Sequence, residues 1–300
     1  MKKRILVTGG YGFIAGYVIE LLKEKGYQPV VLIRHIEESE LLEDTIPYIG
    51  DIRDKALVYG AIEHCDGVIH LAGLLGTSEN IRQAEIMNET NIGGALNVLN
   101  AIDNFNIPGV IIGVGNHFEN NTYSISKTTA ERYALMYAQN FGTKVSVVRA
   151  LNAIGPRQKW GKIKKIIPTF INAALRDEDI NVYGGEKGCG IMDMVYAGDV
   201  ARVLVDVLEG LAGWSGNDNH IAQDPGKIFE AGTGEGWPVW EIAKLIVELV
   251  PGTKSKLKPL PMRAGESTRS RVVAGNPYPI RYQPLKSVLK ETVQYYKDLM

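Results

Sequence analysis

Tyr123 and Lys127 are the residues of this 300-residue sequence whose types and spacing best suit acid–base chemistry. They stand four positions apart, so on a helix both side chains face the same way. An ammonium group and a helix N-terminus both favour a phenolate, which lowers the pKa of a tyrosine from its reference value of about 10. Tyr123 is therefore predicted to act as a base near neutral pH. The alternative is a solvated helix face, where this pair is also common.

A glycine cluster close to the start of the sequence has the composition of a phosphate-binding turn. The apolar run 5–7 is followed by Gly9, Gly12 and Ala15, and an apolar helical pattern begins at Phe13. A strand, a glycine-rich turn and a helix in this order direct backbone N–H groups at a phosphate. Gly9 permits the tight turn, Gly12 lets the backbone approach a pyrophosphate, and Ala15 lets the helix pack on the strand. An ordinary strand-to-helix turn is the alternative.

A second apolar run, residues 28–33, ends at Arg34. In dinucleotide-binding folds an acidic residue at this position accepts a hydrogen bond from the ribose 2′-hydroxyl of NAD, whereas an arginine pairs with the 2′-phosphate of NADP. Arg34 therefore favours NADP slightly over NAD. A solvated charge at the end of a strand is the alternative.

The elements that would position these residues alternate along the chain. Strands are predicted at 5–7, 28–33, 67–73, 110–112 and 144–149, residues 48–54 are predicted as a strand that ends in a polar loop, and helices are predicted at 13–24, 56–63, 81–105 and 123–140. Such alternation is typical of an α/β fold with a doubly wound parallel sheet.

A smaller second lobe is predicted beyond Pro156, where the alternation becomes less regular. We expect residues 1–155 to form the sheet domain, with a returning segment near 193–212, and residues 156–300 to form the C-terminal lobe. The basic run 159–165 could border an anionic ligand or simply be solvated. Further helices are predicted at 166–175, 199–208, 238–250 and 288–299, and further strands at 180–183 and 229–231.

Charge and composition exclude several classes of protein. The sequence has 33 basic and 34 acidic residues and a net charge of −1, so charge indicates neither nucleic acid nor an anionic membrane as a partner. No apolar run approaches the length that spans a bilayer. The cysteines, Cys65 and Cys189, form neither a metal-ligand cluster nor a disulfide framework. We expect a soluble cytoplasmic protein without a metal.

Taken together and in order, these motifs resemble the extended short-chain dehydrogenase/reductase superfamily, in particular the NAD(P)-dependent nucleotide-sugar epimerases, dehydratases and reductases. The resemblance runs from Ile5 to about Tyr296 and implies a Rossmann-type sheet with a smaller substrate-binding lobe. The motifs that carry it are Thr8-Gly9-Gly10-x-Gly12-Phe13-Ile14, Gly50-Asp51-Ile52-Arg53-Asp54, His70-Leu71-Ala72-Gly73, Asn91-x-x-Gly94, Tyr123-x-x-x-Lys127, Arg149-x-x-Asn152-x-x-Gly155-Pro156, Asp193-x-x-Tyr196-x-x-Asp199-Val200, Gly232-Thr233-Gly234 and Arg263-x-Gly265-Glu266.

The resemblance implies roles for the residues that match. Tyr123 would be the general acid or base, and Lys127 would lower its pKa and bind the nicotinamide ribose. Asn152 and Arg263 would contact the diphosphate of a nucleotide sugar, where an arginine supplies charge-assisted hydrogen bonds. The cofactor would be held by Gly9, Gly12, Phe13 and Ile14 at the pyrophosphate, by Asp51 and Ile52 at the adenine, by Leu71, Ala72 and Gly73 along the cleft, and by Arg34 and Lys127 at the two riboses.

One departure from the family concerns the hydroxyl that usually assists proton transfer. Members carry a Ser or Thr just after the strand at 110–112, and its hydroxyl binds the sugar oxygen. The corresponding residues, 113–116, contain no hydroxyl group. Thr122, Asn116 or His117 could take its place, and His117 is also a candidate substrate contact. The Thr-Asp-Glu pattern of the dehydratases is absent, although Glu119 lies nearby.

The resemblance favours an NAD(P)-dependent nucleotide-sugar epimerase that works through a 4-keto intermediate. The alternatives are an NADPH-dependent keto-sugar reductase, a dehydratase of the same family and, from another class, a catalytically impaired regulatory protein that binds NAD(P). Relatives commonly dimerise through a four-helix bundle formed by the helices that here contain Asn91 and follow Lys127. Leu135, Met136 and Ala138 would serve in such an interface or in the core.

Overall fold

The computed structural model describes residues 2–35, 43–215, 221–273 and 277–300. Short strands occur throughout this part of the chain. In chain order they are β1 Arg4–Thr8, β2 Gln28–Ile33, β3 Ile46–Ile49, β4 Gly67–His70, β5 Gly109–Val114, β6 Val145–Ala150, β7 Asn152–Ile154, β8 Ile180–Tyr183, β9 Ile191–Met192, β10 Met194–Tyr196, β11 Ile228–Ala231, β12 Trp237–Pro238 and β13 Leu257–Leu260.

The helices lie between these strands and after them. They are α1 Phe13–Glu24, α2 Lys55–Ile62, α3 Ala84–Asn88, α4 Gly94–Phe105, α5 Thr122–Phe141, α6 Ile166–Leu175, α7 Gly185–Gly188, α8 Ala197–Ala212, α9 Val239–Leu249 and α10 Leu285–Asp298, with a π-helical turn, Glu89–Gly93, between α3 and α4. No described helix combines the length and apolarity that spanning a bilayer requires.

Seven of the strands form one parallel sheet in the order β11-β6-β5-β4-β1-β2-β3. The predicted α/β fold with a doubly wound parallel sheet is confirmed. The strand order reverses at β1, which pairs with β2 on one side and β4 on the other. In sheets of this type ligands bind at the carboxyl ends of the strands where the order reverses. This edge of the sheet is therefore where a site is expected.

Helices cover both faces of the sheet, which explains why its central strands are nearly continuous apolar runs. One buried cluster joins the sheet to α1 and α8, and a second joins the opposite face to α2, α4 and α5. A third cluster lies away from the sheet and involves α6, α9 and α10. We propose this third cluster as the core of the smaller lobe, because it draws only on residues from 154 onward.

The helix predicted at 81–105 is interrupted by the π-helical turn, which contains the buried residue Asn91. Its Oδ1 accepts a hydrogen bond from the Leu74 N–H at 2.7 Å, and its Nδ2 donates to the Leu74 carbonyl at 3.1 Å and to Ser126 Oγ at 2.9 Å. Asn91 thus connects the loop after β4 to α5. Single π-helical turns are frequent at functional sites, and a smooth apolar pattern does not reveal them.

Candidate active site

The glycine turn connects the end of β1 to the start of α1. Gly9 has φ +72°, and the N–H groups of Gly9 and Gly10 donate to the Leu32 carbonyl at 3.1 and 3.3 Å, which ties the turn to β2. Gly12 caps α1, whose first turn has neither an acidic residue nor a side-chain cap. The first N–H groups of such a helix are available to an anion.

Close approach of backbone segments explains why glycine occupies this turn. A Cβ atom at Gly9 would lie 2.9 Å from Ala72 Cα, and one at Gly12 would lie 2.9 Å from the Gly9 carbonyl oxygen. Ala15, in the first turn of α1, is buried against the sheet. The turn and the uncapped helix N-terminus fit the pyrophosphate of a dinucleotide.

Thr8, the last residue of β1, connects β1 to the end of β4, beside the point where the strand order reverses. Its Oγ1 accepts hydrogen bonds from the N–H groups of Leu71 and Ala72 at 3.1 and 3.0 Å and lies 2.9 Å from His70 Nδ1. Burial, with a contribution from Lys127, lowers the pKa of His70 to about 3, so the imidazole is neutral. The threonine hydroxyl therefore connects the neutral His70 ring to the backbone that faces Gly9.

Replacing Thr8 with Val is expected to destabilise the protein by roughly 2–4 kcal/mol, because two backbone N–H groups and an imidazole nitrogen lose their partner. The loss should appear in chemical denaturation, and dinucleotide affinity should fall with it. Thr8→Ser keeps the hydroxyl and is the matched control. Equal losses in Thr8→Val and Thr8→Ser would show that the methyl group, not the hydrogen bonds, matters.

Tyr123 and Lys127 lie on α5, which begins at the carboxyl edge of the sheet. Asn121 caps this helix by accepting a hydrogen bond from the Ser124 N–H at 2.8 Å. Tyr123 is partly buried in the first turn, and Lys127 is buried one turn later. The structure thus places both on the helix that was predicted for them, near the loop that Asn91 connects to α5.

The expected lowering of the Tyr123 pKa is wrong for this structure. Burial raises the pKa of Tyr123 above its usual value, and the nearby charge of Glu131 raises it further. Burial also lowers the pKa of Lys127 to about 8, while Glu131 acts in the opposite direction. Desolvation is the larger of the two causes for Tyr123, so its resting side chain is a neutral phenol.

Residues 113–116, at the end of β5 and just after it, contain no hydroxyl group where the resemblance implies one. A Cβ at Gly115 would lie 2.6 Å from Leu151 Cδ1 and 3.1 Å from Leu151 Cα, so a larger residue there would require Leu151 to move. Thr122 is already engaged, since its Oγ1 donates to the Asn80 carbonyl at 2.9 Å. His117 is partly exposed, and its buried Nδ1 has no hydrogen-bond partner among the described residues. Asn116 is partly exposed on the same segment.

The residues predicted to hold the adenosine lie beside one another. Asp51 accepts hydrogen bonds from Arg53 Nε and Nη2 at 3.0 and 2.9 Å, and this pairing lowers the pKa of its carboxyl group. Arg34 is exposed at the end of β2 and adds a smaller effect in the same direction. Ile52 is buried against Gly94 of α4. The wall predicted from Leu71 to Gly73 follows β4, and its backbone at Leu71 and Ala72 lies against Gly9 of the glycine turn.

Carboxylates surround Arg263, the predicted phosphate contact. Its Nε and Nη2 donate to Glu266, at 3.0 and 2.5 Å, and its Nη1 lies 3.3 Å from Glu79 Oε1. A phosphate would therefore compete with two carboxylates for this guanidinium. Asn152, the other predicted contact, donates from Nδ2 to the Asp193 carbonyl at 3.0 Å and is partly exposed.

The sequence matches a known protein family. A model of the NAD dependent epimerase/dehydratase family matches residues 5–222. The chain belongs to this family. Within the described ranges, no group of three or more His, Cys, Asp or Glu side chains could hold a metal ion.

Relatives of this epimerase/dehydratase protein include enzymes with different reactions. A UDP-N-acetyl-alpha-D-glucosaminuronate decarboxylase of Bacillus cytotoxicus is 26% identical over 100% of this chain and 99% of the relative. A UDP-glucose 4-epimerase of Thermotoga maritima, crystallised with UDP-glucose, is 26% identical with a TM-score of 0.82 over 99% of both chains. A Thermus thermophilus UDP-glucose 4-epimerase, in complex with NAD, has a TM-score of 0.81, 24% identity and coverage of 99% and 100%.

Two groups near the site of this epimerase/dehydratase protein were not singled out from the sequence. Lys165, within the basic run 159–165, occupies the N-cap position of α6. Its side chain makes no capping hydrogen bond, and the first turn of α6 contains no acidic residue. Burial lowers the pKa of Lys165, and its charged neighbours are Glu79, Arg263 and Glu266. Glu131 is the second. It follows Tyr123 by about two helical turns, so helical spacing in the sequence could have indicated it.

Proposed function

We propose that the protein is an NAD(P)-dependent nucleotide-sugar 4-epimerase that works through a 4-keto sugar. The observation that supports this most is the arrangement at the carboxyl edge of the sheet. The glycine turn contacts the backbone after β4 where the strand order reverses, and the Tyr123–Lys127 pair lies on α5, the helix that follows β5. The similarity to 4-epimerases over nearly the whole chain points to the same reaction.

The cofactor-binding roles follow from the geometry of the turn and its neighbours. Gly9, Gly12 and the first turn of α1 would bind the pyrophosphate, and Asp51 with Ile52 would bind the adenine. The backbone at Leu71–Gly73, held by Thr8, would line the cleft. When bound, the nicotinamide ring would accept a hydride from the sugar carbon and return it.

Tyr123 would transfer the proton of the sugar hydroxyl. As a neutral phenol, it suits donation of a proton to the keto oxygen. Protonated Lys127 favours the phenolate that the opposite half of the cycle requires. His117 would supply the hydrogen bond to the sugar oxygen that relatives obtain from Ser or Thr, because its ring is partly exposed on the adjoining segment.

The nucleotide diphosphate would bind at the uncapped N-terminus of α6. Lys165 and Arg263 bring two positive charges to this helix end, which itself favours anions. Asn152 would add a neutral hydrogen bond. Glu119 does not act as the acid of a dehydratase in this proposal, because it is buried in an ion pair with Arg271 at 2.7 Å.

A homodimer through α4 and α5 is a further part of the proposal. Ile125, Tyr133 and Phe141 are exposed on α5, and Leu135 and Met136 are partly exposed. Ala138 is buried and packs in the core of the sheet domain instead.

Cofactor identification and turnover together test the proposed function. Denatured protein should release a nicotinamide dinucleotide in about equimolar amount, identified by mass. The purified protein should convert one member of a panel of UDP-, GDP- and dTDP-sugars to its C4 epimer. A protein that binds the dinucleotide but converts no sugar nucleotide would support the regulatory alternative, and one that consumes NADPH with a keto sugar would support the reductase.

The presence of Arg34 at the end of β2 favours NADP over NAD as the cofactor, and therefore supports the reductase alternative. Replacing Arg34 with Ala should weaken NADP binding by about 10–100-fold and leave NAD binding nearly unchanged, because only NADP carries the 2′-phosphate. Isothermal titration with both dinucleotides measures the ratio, and Lys286→Ala, an exposed site on α10, is the control for general charge. Equal losses for NAD and NADP would contradict this role.

A further inference from the structure

Glu131 is a buried carboxylate on the same helix as Tyr123 and Lys127. It follows Lys127 by four residues and is 1% exposed. Its Oε2 accepts a hydrogen bond from Arg149 Nε at 2.9 Å and forms an ion pair with Nη2 at 2.8 Å, and its Oε1 accepts a hydrogen bond from the Val114 N–H at 3.1 Å. One side chain therefore connects α5 to β6 and to the last residue of β5.

The Glu131 carboxylate occupies the space beside Gly113. A Cβ atom at Gly113 would collide with Glu131 Oε1 and would lie 3.0 Å from Arg149 Cγ. The end of β5 thus lacks a side chain at this position because the carboxylate takes its place. Since β5 leads directly into the segment before Tyr123, Glu131 controls where that segment starts.

Few other charges face Lys127. β5 consists of glycine and aliphatic residues, and β4 contributes His70, whose pKa lowered by burial keeps it neutral. β6 contributes Arg149, which is paired with Glu131. The π-helical turn contributes Asn91, which is uncharged. Among the described residues, Glu131 is the anion that acts on Tyr123 and on Lys127.

We propose that Glu131 is a positioning residue of the reaction, which fixes the end of β5 against α5 and supplies the counter-charge that keeps Lys127 protonated beside Tyr123. Arg149 holds the carboxylate in place and partly neutralises it. This role rests on the proposed function of Tyr123 and Lys127. Glu131 would thus be a third residue at helical spacing, which affects the protonation of Tyr123 and Lys127 without contacting the substrate.

The proposal predicts opposite effects for the two partners of the ion pair. Glu131→Gln removes the negative charge but keeps the shape and one acceptor, so the pKa values of Lys127 and Tyr123 should both fall. Arg149→Gln leaves Glu131 less neutralised, so both pKa values should rise. Shifts of about one pKa unit are expected for the loss of a nearby charge. Arg149→Lys keeps the positive charge and should restore the original values.

Direct titration of Lys127 tests the counter-charge without any substrate. The ¹³Cε resonance of selectively labelled lysine, assigned by its absence in Lys127→Met, reports the pKa of Lys127. It should titrate near pH 8 in the unchanged protein, at lower pH in Glu131→Gln and at higher pH in Arg149→Gln. Identical titration in all three proteins would overturn the proposal, whatever their activity.

The pH profile of turnover gives the second measurement. Both limbs of the profile should move to lower pH in Glu131→Gln and to higher pH in Arg149→Gln. The control is Glu209→Gln. Glu209 is also a buried glutamate in an ion pair, with Lys25, but it lies far from the carboxyl edge of the sheet. This change should leave both limbs of the pH profile in place. Thermal unfolding of each variant separates lost folding from shifted titration.

The outcomes separate this inference from the proposed function. Opposite shifts of the Lys127 titration without turnover would support Glu131 and refute the epimerase. Turnover with unshifted limbs in both variants would support the epimerase and refute Glu131 as a tuning group. If Glu131→Gln does not fold, the comparison of Arg149→Gln with Arg149→Lys decides the question, because an upward shift in the first and none in the second is required.

Discussion

Replacing Tyr123 with Phe should reduce turnover by about 10²–10⁴-fold, the range that general acid–base groups contribute. The phenol oxygen is the atom proposed to exchange a proton with the sugar hydroxyl, and phenylalanine keeps the ring without it. Dinucleotide binding should remain within about twofold, because Tyr123 is not part of the phosphate cradle formed by the glycine turn and α1. Steady-state assay and titration with the dinucleotide measure the two quantities.

The matched control for this change is Tyr295→Phe on α10, which removes a phenol from the other lobe. It should leave turnover unchanged. If Tyr123→Phe retained full activity, proton transfer would have to be assigned to another group. A parallel loss of dinucleotide binding would instead show that Tyr123 is needed for the shape of the cleft.

Replacing Gly9 with Ala should cost roughly 2–4 kcal/mol of stability and at least about tenfold in dinucleotide affinity. Two causes act together. Gly9 has φ +72°, which strains any residue with a Cβ, and that Cβ would lie 2.9 Å from the backbone of Ala72. Relief of the collision has to move the turn or the backbone after β4, and both line the proposed pyrophosphate site.

Gly26 provides a matched control for the conformational part of this loss. It has φ +81°, but a Cβ there would meet nothing within 4 Å. Gly26→Ala should therefore cost only about 1 kcal/mol and leave dinucleotide affinity unchanged. Chemical denaturation and isothermal titration of both variants test this. Equal effects in the two variants would mean that the close approach to Ala72 is unimportant.

The central strands of the sheet were predictable from the sequence because they are buried on both faces. Continuous apolar runs such as residues 29–33 indicate such strands when helical patterns separate them. The helix at 166–175 and the strand at 180–183 have the predicted bounds. By contrast, β9, β10 and β12 contain two or three residues each, too few for an alternating pattern to show.

The candidate site was predictable in its composition but not in its electrostatics. The glycine turn and the Tyr123–Lys127 pair follow from local spacing, which sequence shows directly. The raised pKa of Tyr123 depends on burial, which becomes visible only when β5 and β6 pack against α5. The pairing of Arg263 with Glu79 joins residues that are far apart in the sequence, and no local pattern indicates it.

The most direct test of the epimerase proposal uses a nucleotide sugar that carries deuterium at C4, chosen from the panel as the one that is converted. If hydride leaves C4 and returns to it within the bound complex, the C4 epimer should retain the deuterium, with no label appearing in water. NMR of the product measures this retention directly. Loss of the deuterium to solvent, or conversion by protein that holds no nicotinamide dinucleotide, would contradict the account.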